Sequence, residues 1–384
     1  GVKVMTRENM MVLLKEMGRE CSAGSCEVET ARNIGADFVI SGTVAVIDKR
    51  FVVTLKLHET KGGSLLGTDM VDAKSQMEVL RTLREHAQKL VASKVRSVSV
   101  PGRPGTPSGP VPDPSQVRGC QPYQVPIPGG TFWMGSNDGE PDEKPVHKVA
   151  LASYCMDKTE VTVAGYRECV QGGGCPPPFV TVQSKNIKPE DRAIWSQFCN
   201  WGKAGLDEHP INCVDWTQAT TYCEWRGDRL PTEPEWEFAA RGSDARTYPW
   251  GDEPPDPTRL NACGRECVAM GKLLGKTWSA MYPGNDGWKT TAPAGSYPKG
   301  ASPFGVLDMA GNVLEWTADA YGKYKAAVPT NPLSVEASLS PRVFRGGSWL
   351  MYLPSKVRAA SRFKNDPGDR EYALGFRCAR GADK

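Results

Sequence analysis

The chain has little histidine, four residues in 384, and none falls in a His-x-x-x-His spacing. That removes the imidazole-built iron and zinc centres that need such pairs. No Cys-x-x-Cys pair is present and no histidines cluster beside the cysteines, so a structural zinc site has little to build on. No run of roughly eighteen apolar residues occurs, so no segment reads as a membrane-spanning helix. Charge of one sign is also missing: the net value is +3 with a pI near 8.2, too balanced for a nucleic-acid footprint. A serine hydrolase can be assembled on paper from Ser348, His147 and an aspartate, but no nucleophile-elbow motif frames the serine.

Cysteine, by contrast, is plentiful: twelve residues, an even number. Close loop pairs are formed by Cys21 with Cys26, Cys169 with Cys175, Cys199 with Cys213 and Cys263 with Cys267, which predicts disulfides and an oxidising compartment, periplasmic or extracellular. The start, Gly1-Val-Lys-Val, reads as a truncated or processed end and leaves room for a leader or lipoprotein segment.

The length allows two domains. Residues 1–97 read as a small α/β module. Thr6 caps a helix carrying Met10, Leu13, Leu14 and Met17, and a second short helix follows over 27–34. Three strands are expected at 37–47, 51–58 and 65–71, the second with Phe51, Val53, Leu55 and Leu57 on one face. A long helix over 75–95 closes the module. Residues 98–119 are a Pro/Gly-rich tether, semi-stiff and without an apolar face. All eleven tryptophans lie beyond it, which marks 120–384 as a separate domain. That domain opens with strands near 123–128, 131–134 and 148–152. Between the last two lies an acidic loop with Asp138, Glu140, Asp142 and Glu143, read as solvated surface. Helices follow at 162–170, after the capping box of Asp215 with Gln218, and after that of Thr232 with Glu235.

The stretch that organises the second domain is Asp308-Met-Ala-Gly-Asn-Val-Leu-Glu-Trp316. Two carboxylates around a flexible glycine can gather oxygens around a hard cation, calcium in preference. The alternative is a turn shaped by Gly311 and Asn312 with Trp316 as core. Other blocks accompany it: Gly129-Gly-Thr-Phe-Trp-Met-Gly135, Arg229-Leu-Pro-Thr-Glu-Pro-Glu-Trp236, Tyr248-Pro-Trp-Gly-Asp252, Arg345-Gly-Gly-Ser-Trp349 and Gly375-Phe-Arg-Cys378. In this order the second domain resembles the formylglycine-generating enzyme (sulfatase-modifying factor) family. The resemblance implies an α+β, C-type-lectin-like fold with little regular structure and two bound calcium ions.

Residue by residue, the resemblance implies one calcium held by Asp308 and Glu315 side chains with Gly311 and Val313 carbonyls. It implies a second held by Asn261 and Asp286 with the carbonyls of Ala262 and Trp288. It also implies a Cys223–Cys378 bridge, while the positions of a second family bridge are both alanine here, Ala240 and Ala359. Cys120 and Cys155 remain as a pair by elimination. Residues 1–97 are more weakly similar to amino-terminal domains of the periplasmic Tol-system propeller protein and curli-secretion lipoproteins, which implies a module for a protein partner.

Catalysis in the family implies two cysteines after the Gly-Gly-Ser block that bind copper(I). Here Ser348 is kept, Met351 stands at the first thiol position, and no cysteine occurs between Cys267 and Cys378. The expectation is therefore a calcium-stabilised, non-catalytic binding or assembly protein without copper. The alternative is a formylglycine-generating oxidase or another enzyme in the same groove. The expected binding surface carries Trp349, Tyr352, Lys356, Arg358 and Arg362, a mixture suited to a peptide, protein or acidic ligand. The competing reading of those residues is internal salt bridges and core.

Overall fold

The computed structural model describes residues 38–47, 50–59, 65–73, 86, 90, 114, 117–325 and 340–382. The chain divides into two compact units, Gly1–Arg103 and Pro104–Lys384. The first unit shows an antiparallel sheet of β1 (Phe38–Ile47), β2 (Arg50–Glu59) and β3 (Leu65–Ala73), in that spatial order. Alternation along β2 has the predicted outcome: Val53, Leu55 and Leu57 are buried on one face, packed with Val71, Ala73 and Leu90. The expected helices at 6–17 and 27–34 and most of 75–95 lie outside the described residues.

The second unit is α+β, built from small sheets joined by long irregular connections. β4 (Gln124–Ile127) and β12 (Ala379–Gly381) flank β7 (Tyr154–Asp157), while β5 (Gly130–Met134) pairs with β6 (His147–Leu151). A four-stranded sheet runs β10 (Phe363–Asn365), β9 (Arg342–Arg345), β8 (Leu314–Ala320), β11 (Leu374–Phe376), with β11 parallel to β8. The nonapeptide therefore leads straight into a central strand.

Three helices begin where the sequence places their caps. α1 (Val163–Gln171) follows Thr162, whose hydroxyl accepts from the Gly165 amide. After two irregular segments and the short α2 (Arg192–Ser196), the Asp215/Gln218 box starts α3 (Trp216–Trp225). The Thr232/Glu235 box starts α4 (Glu233–Arg241). α4 is buried along its whole length, its acids included. Glu233 and Glu237 pair with arginines that arrive from β9 and from the approach to β10: Arg362 Nε lies 2.6 Å from Glu233, and Arg345 bonds Glu237. Against the upward push of burial, Arg362 and Arg345 hold the Glu233 carboxyl below the usual range.

Five disulfides lie within the described residues: Cys120–Cys155, Cys169–Cys175, Cys199–Cys213, Cys223–Cys378 and Cys263–Cys267. No free cysteine is found among those residues. The sixth expected pair is not among these five, because Cys21 and Cys26 both lie outside the described residues. Ala240 and Ala359, at the alanine-replaced bridge positions, share one buried cluster with Trp236 and Met309, so methyl packing occupies that place.

Candidate functional site

The Asp308–Trp316 stretch bends through three left-handed residues, Asp308 (φ 58°), Gly311 (φ 86°) and Asn312 (φ 55°). Such backbone is costly for residues with side chains and persists only where surroundings fix it. Here they do. The Asn312 amide donates to the Asn261 carbonyl at 2.8 Å, and Asn312 Oδ1 accepts from Asn261 Nδ2 and the Ala292 amide. A Cβ on Gly311 would stand 2.3 Å from that same Asn261 carbonyl, so only glycine fits. The Trp349 amide donates to the Asn312 carbonyl, and the Gly311 amide to the Gly346 carbonyl. One loop thus ties the Asn261 segment to the Gly346–Trp349 segment.

The two predicted cation sites differ in how their oxygens are occupied. Glu315 is fully buried, and both of its oxygens lie 2.6 Å from Arg377 nitrogens; the Trp236 indole adds a third donor at 2.7 Å. Asp308 Oδ2 accepts from the Gly295 amide at 2.5 Å. A residue that sequence reasoning missed stands beside it: Glu160 is buried, and neither of its oxygens meets a donor. Burial and then the Asp308 charge push the Glu160 carboxyl well above the carboxylate range, and burial raises Asp308 as well. Two such carboxylates with one arginine already committed to Glu315 need a shared proton or a cation. Paired carboxylates of this kind fit calcium, and the Gly311 and Val313 carbonyls are the further hard oxygens that the resemblance implies.

At the second site Asp286 Oδ2 accepts from the Tyr282 hydroxyl at 2.6 Å and the Ala262 amide at 3.2 Å, and Asp286 Oδ1 from the Trp288 amide at 3.0 Å. Asn261 Oδ1 is buried without a donor. Burial raises the Asp286 carboxyl to about 6. These oxygens also fit a hard cation, although no group of three or more His, Cys, Asp or Glu side chains able to hold a metal occurs among the described residues. At this second site a carboxylate, an amide oxygen and main-chain carbonyls would make up the set, which is ordinary for calcium.

Against Trp288 stands His209, buried, its ring edge-on at 5.2 Å and its Nδ1 3.0 Å from Thr291 Oγ1. Burial holds its pKa below the ordinary value. The unfolded chain therefore takes the proton first. Stability that is intact above about pH 6.5 is expected to erode as pH falls through the folded value. Urea midpoints compared at neutral and mildly acidic pH check this, since His209→Gln should flatten the dependence.

A cavity of about 390 Å³ opens beside Ser348, walled by Thr277, Trp278, Ser279, Leu350, Met351, Tyr352, Glu371 and Tyr372. Trp278, Trp195 and Tyr372 form a parallel stack, with Trp195 6.0 Å from Trp278 and 4.4 Å from Tyr372. Ser348 is buried, and its carbonyl accepts from the Met351 amide. The donor set here does not fit copper(I): it offers a thioether, hydroxyls and a carboxylate, but neither thiolate nor imidazole. Glu371 and Trp278 were not legible as site residues, because nothing in their local sequence separates them from ordinary surface and core positions.

The expected binding surface needs correction. Of its residues only Tyr352, 49% exposed, lines the cavity. Trp349 is 1% exposed and packs with Phe198 and the Cys263–Cys267 disulfide. Arg362 is buried against Glu233, Arg358 forms a two-pronged pair with Glu143, and Lys356 bonds Glu140 at 2.8 Å. The acidic loop is correspondingly not plain solvated surface. Its turn Pro141–Glu143 supplies counter-ions to the 356–362 segment, and Asp142 accepts from the Tyr321 hydroxyl.

Comparison with known proteins places this geometry. The sulfatase-modifying factor enzyme 1-like domain matches residues 110–382, and the chain belongs to that family. Formylglycine-generating enzyme from Streptomyces coelicolor is 34% identical over 312 residues, covering 72% of this chain and 93% of that protein. Inactive C-alpha-formylglycine-generating enzyme 2 from Bos taurus is 31% identical over 296 residues, covering 68% and 88%. Among solved structures, PvdO from Pseudomonas aeruginosa aligns with a TM-score of 0.52 at 27% identity, covering 67% of this chain and 94% of that one. The fold is the formylglycine-generating-enzyme fold, and the family contains both active enzymes and inactive paralogues.

Proposed function

We propose that the chain is a calcium-braced binding or assembly protein that has left the oxidase chemistry of its family. The observation that carries this reading is the wall of the Ser348 cavity, which contains Met351 and no cysteine, every described cysteine being held in a disulfide; the family resemblance implies a thiol at the Met351 position. One thioether does not replace two thiolates as a copper(I) site. The ligand class that suits the cavity is a peptide segment carrying an aromatic or cationic side chain. Trp278, Tyr352 and Tyr372 offer ring surface, and Glu371 supplies the single carboxylate. No helix among the described residues is long and apolar enough to cross a membrane. The disulfides point to an oxidising compartment, and we assign the protein to the periplasm or the cell exterior.

The test is direct. Copper-loaded protein incubated with a Cys-x-Pro-x-Arg peptide should leave the peptide mass unchanged under conditions in which the Streptomyces coelicolor enzyme converts it. Conversion at a comparable rate would overturn the proposal.

A further inference from the structure

Helix α5 (Arg265–Leu273) begins inside a disulfide: Cys263 and Cys267 bridge its first turn across four residues. Glu266 is the second residue of that helix and is 9% exposed, with neither carboxylate oxygen meeting a donor. Its position is narrowly set. A Cβ on Gly264 would stand 2.3 Å from Glu266 Oε1, so the carboxylate lies folded back over the helix start rather than out in water. A buried carboxylate without a donor is unfavourable unless something positive or a proton meets it. Asp286, near enough to feel the Glu266 charge, is another carboxylate and offers it no counter-charge.

A second, independent orphan belongs to the same segment. Asn261 is 1% exposed, its Nδ2 donates to the Thr290 carbonyl at 2.8 Å, and its Oδ1 has no donor. Three unpartnered buried oxygens therefore lie within six residues of chain: Asn261 Oδ1 and both oxygens of Glu266. The Asp286 carboxylate accepts from the amide of Ala262, the residue next to Asn261, at 3.2 Å. Hydrogen-bond donors would have to come from protein, and none reaches these atoms; a hard divalent cation is the partner that such oxygens take.

We propose that Glu266 is a direct calcium ligand at the Asn261/Asp286 site, a charged addition to the Asn261, Ala262, Asp286 and Trp288 set, delivered by the disulfide-stapled helix. The staple fixes the ligand's helix without using any other acid of the segment. A second carboxylate at the site tightens calcium and makes its release costly. The far end of the same helix leads through Leu274 to Trp278, which packs with Trp349 in one cluster, so the ion also braces a wall of the Ser348 cavity. The inference rests on the calcium component of the proposed function and not on whether the cavity binds or converts its ligand.

Calcium titration by calorimetry, together with melting in calcium and in chelator, tests it on the full chain. Glu266→Gln should weaken calcium binding at one site about tenfold or more. In chelator the same variant should melt a few degrees higher than the parent, because a buried charge has gone. A merely structural carboxylate would give the opposite sign in chelator. Unchanged calcium affinity, or a lower melting temperature in chelator, would overturn the role of Glu266. If the parent itself binds no calcium and chelator leaves its melting temperature unchanged, the calcium reading of both sites falls with it. Should Glu266→Gln not fold, Glu266→Asp serves: a shortened carboxylate should fold and bind calcium more weakly than the parent, and equal affinity would count against the proposal. Terbium emission sensitised by Trp288 supplies a second readout, since removal of one carboxylate should raise the number of metal-bound waters.

Discussion

Arg377→Met is expected to destabilise the folded state by about 3–5 kcal/mol, as removal of one partner of a buried ion pair does. Arg377 is fully buried and binds Glu315 with two nitrogens, each at 2.6 Å. It also donates to the carbonyls of Asp157 and Leu307, so one side chain joins β7, the nonapeptide and β8. Its loss leaves Glu315 charged in the core, where among the described residues the Trp236 indole alone still donates to it, with Asp308 and Glu160 adding like charge. Denaturant melts of parent and variant measure the loss. A companion variant, Arg377→Met with Glu315→Leu, removes both charges and should recover part of it. A double variant no more stable than the single one would show that the carbonyl contacts, rather than the pair, carry the effect.

The second large effect is expected from the Cys223–Cys378 bridge, whose ends lie 155 residues apart in sequence. Cross-linking so long a loop removes unfolded-state entropy worth about 5 kcal/mol in the chain-entropy model. Replacing both cysteines by alanine should lower the urea midpoint accordingly, more than loss of the Cys263–Cys267 bridge, which spans 4 residues. Equal shifts for the two would mean that native packing, not loop length, sets their contributions. Cys223 and Cys378 both sit in the largest aromatic cluster, with Tyr166, Tyr222 and Phe376, so each alanine also removes some buried surface.

What could be read from sequence was whatever a short window determines. Capping boxes announced the starts of α3 and α4, because the bonding side chain and its amide lie three residues apart. Alternation located β2 and its buried face for the same reason. The charged residues behaved otherwise. Nothing local marks Glu233 and Glu237 as buried, and their partners Arg362 and Arg345 arrive from 129 and 108 residues away. Arg358 finds Glu143 across 215 residues. No local pattern announces such a partner, and so two of the residues assigned to a binding surface from aromatic and basic composition, Trp349 and Arg362, are buried. Glu160 and Glu266 were invisible for a related reason: a lone acid in sequence reveals its burial only when the chain is folded around it.

The ion pairs of the 356–362 segment also decide where this molecule can change cheaply. Lys356, Arg358 and Arg362 anchor the segment's stem to Glu140, Glu143 and Glu233, while Tyr352 and Leu353 project from it with little to hold. Exchanges at these two projecting residues leave the anchorage untouched. A change at an anchor is inherited differently, as damage to the whole.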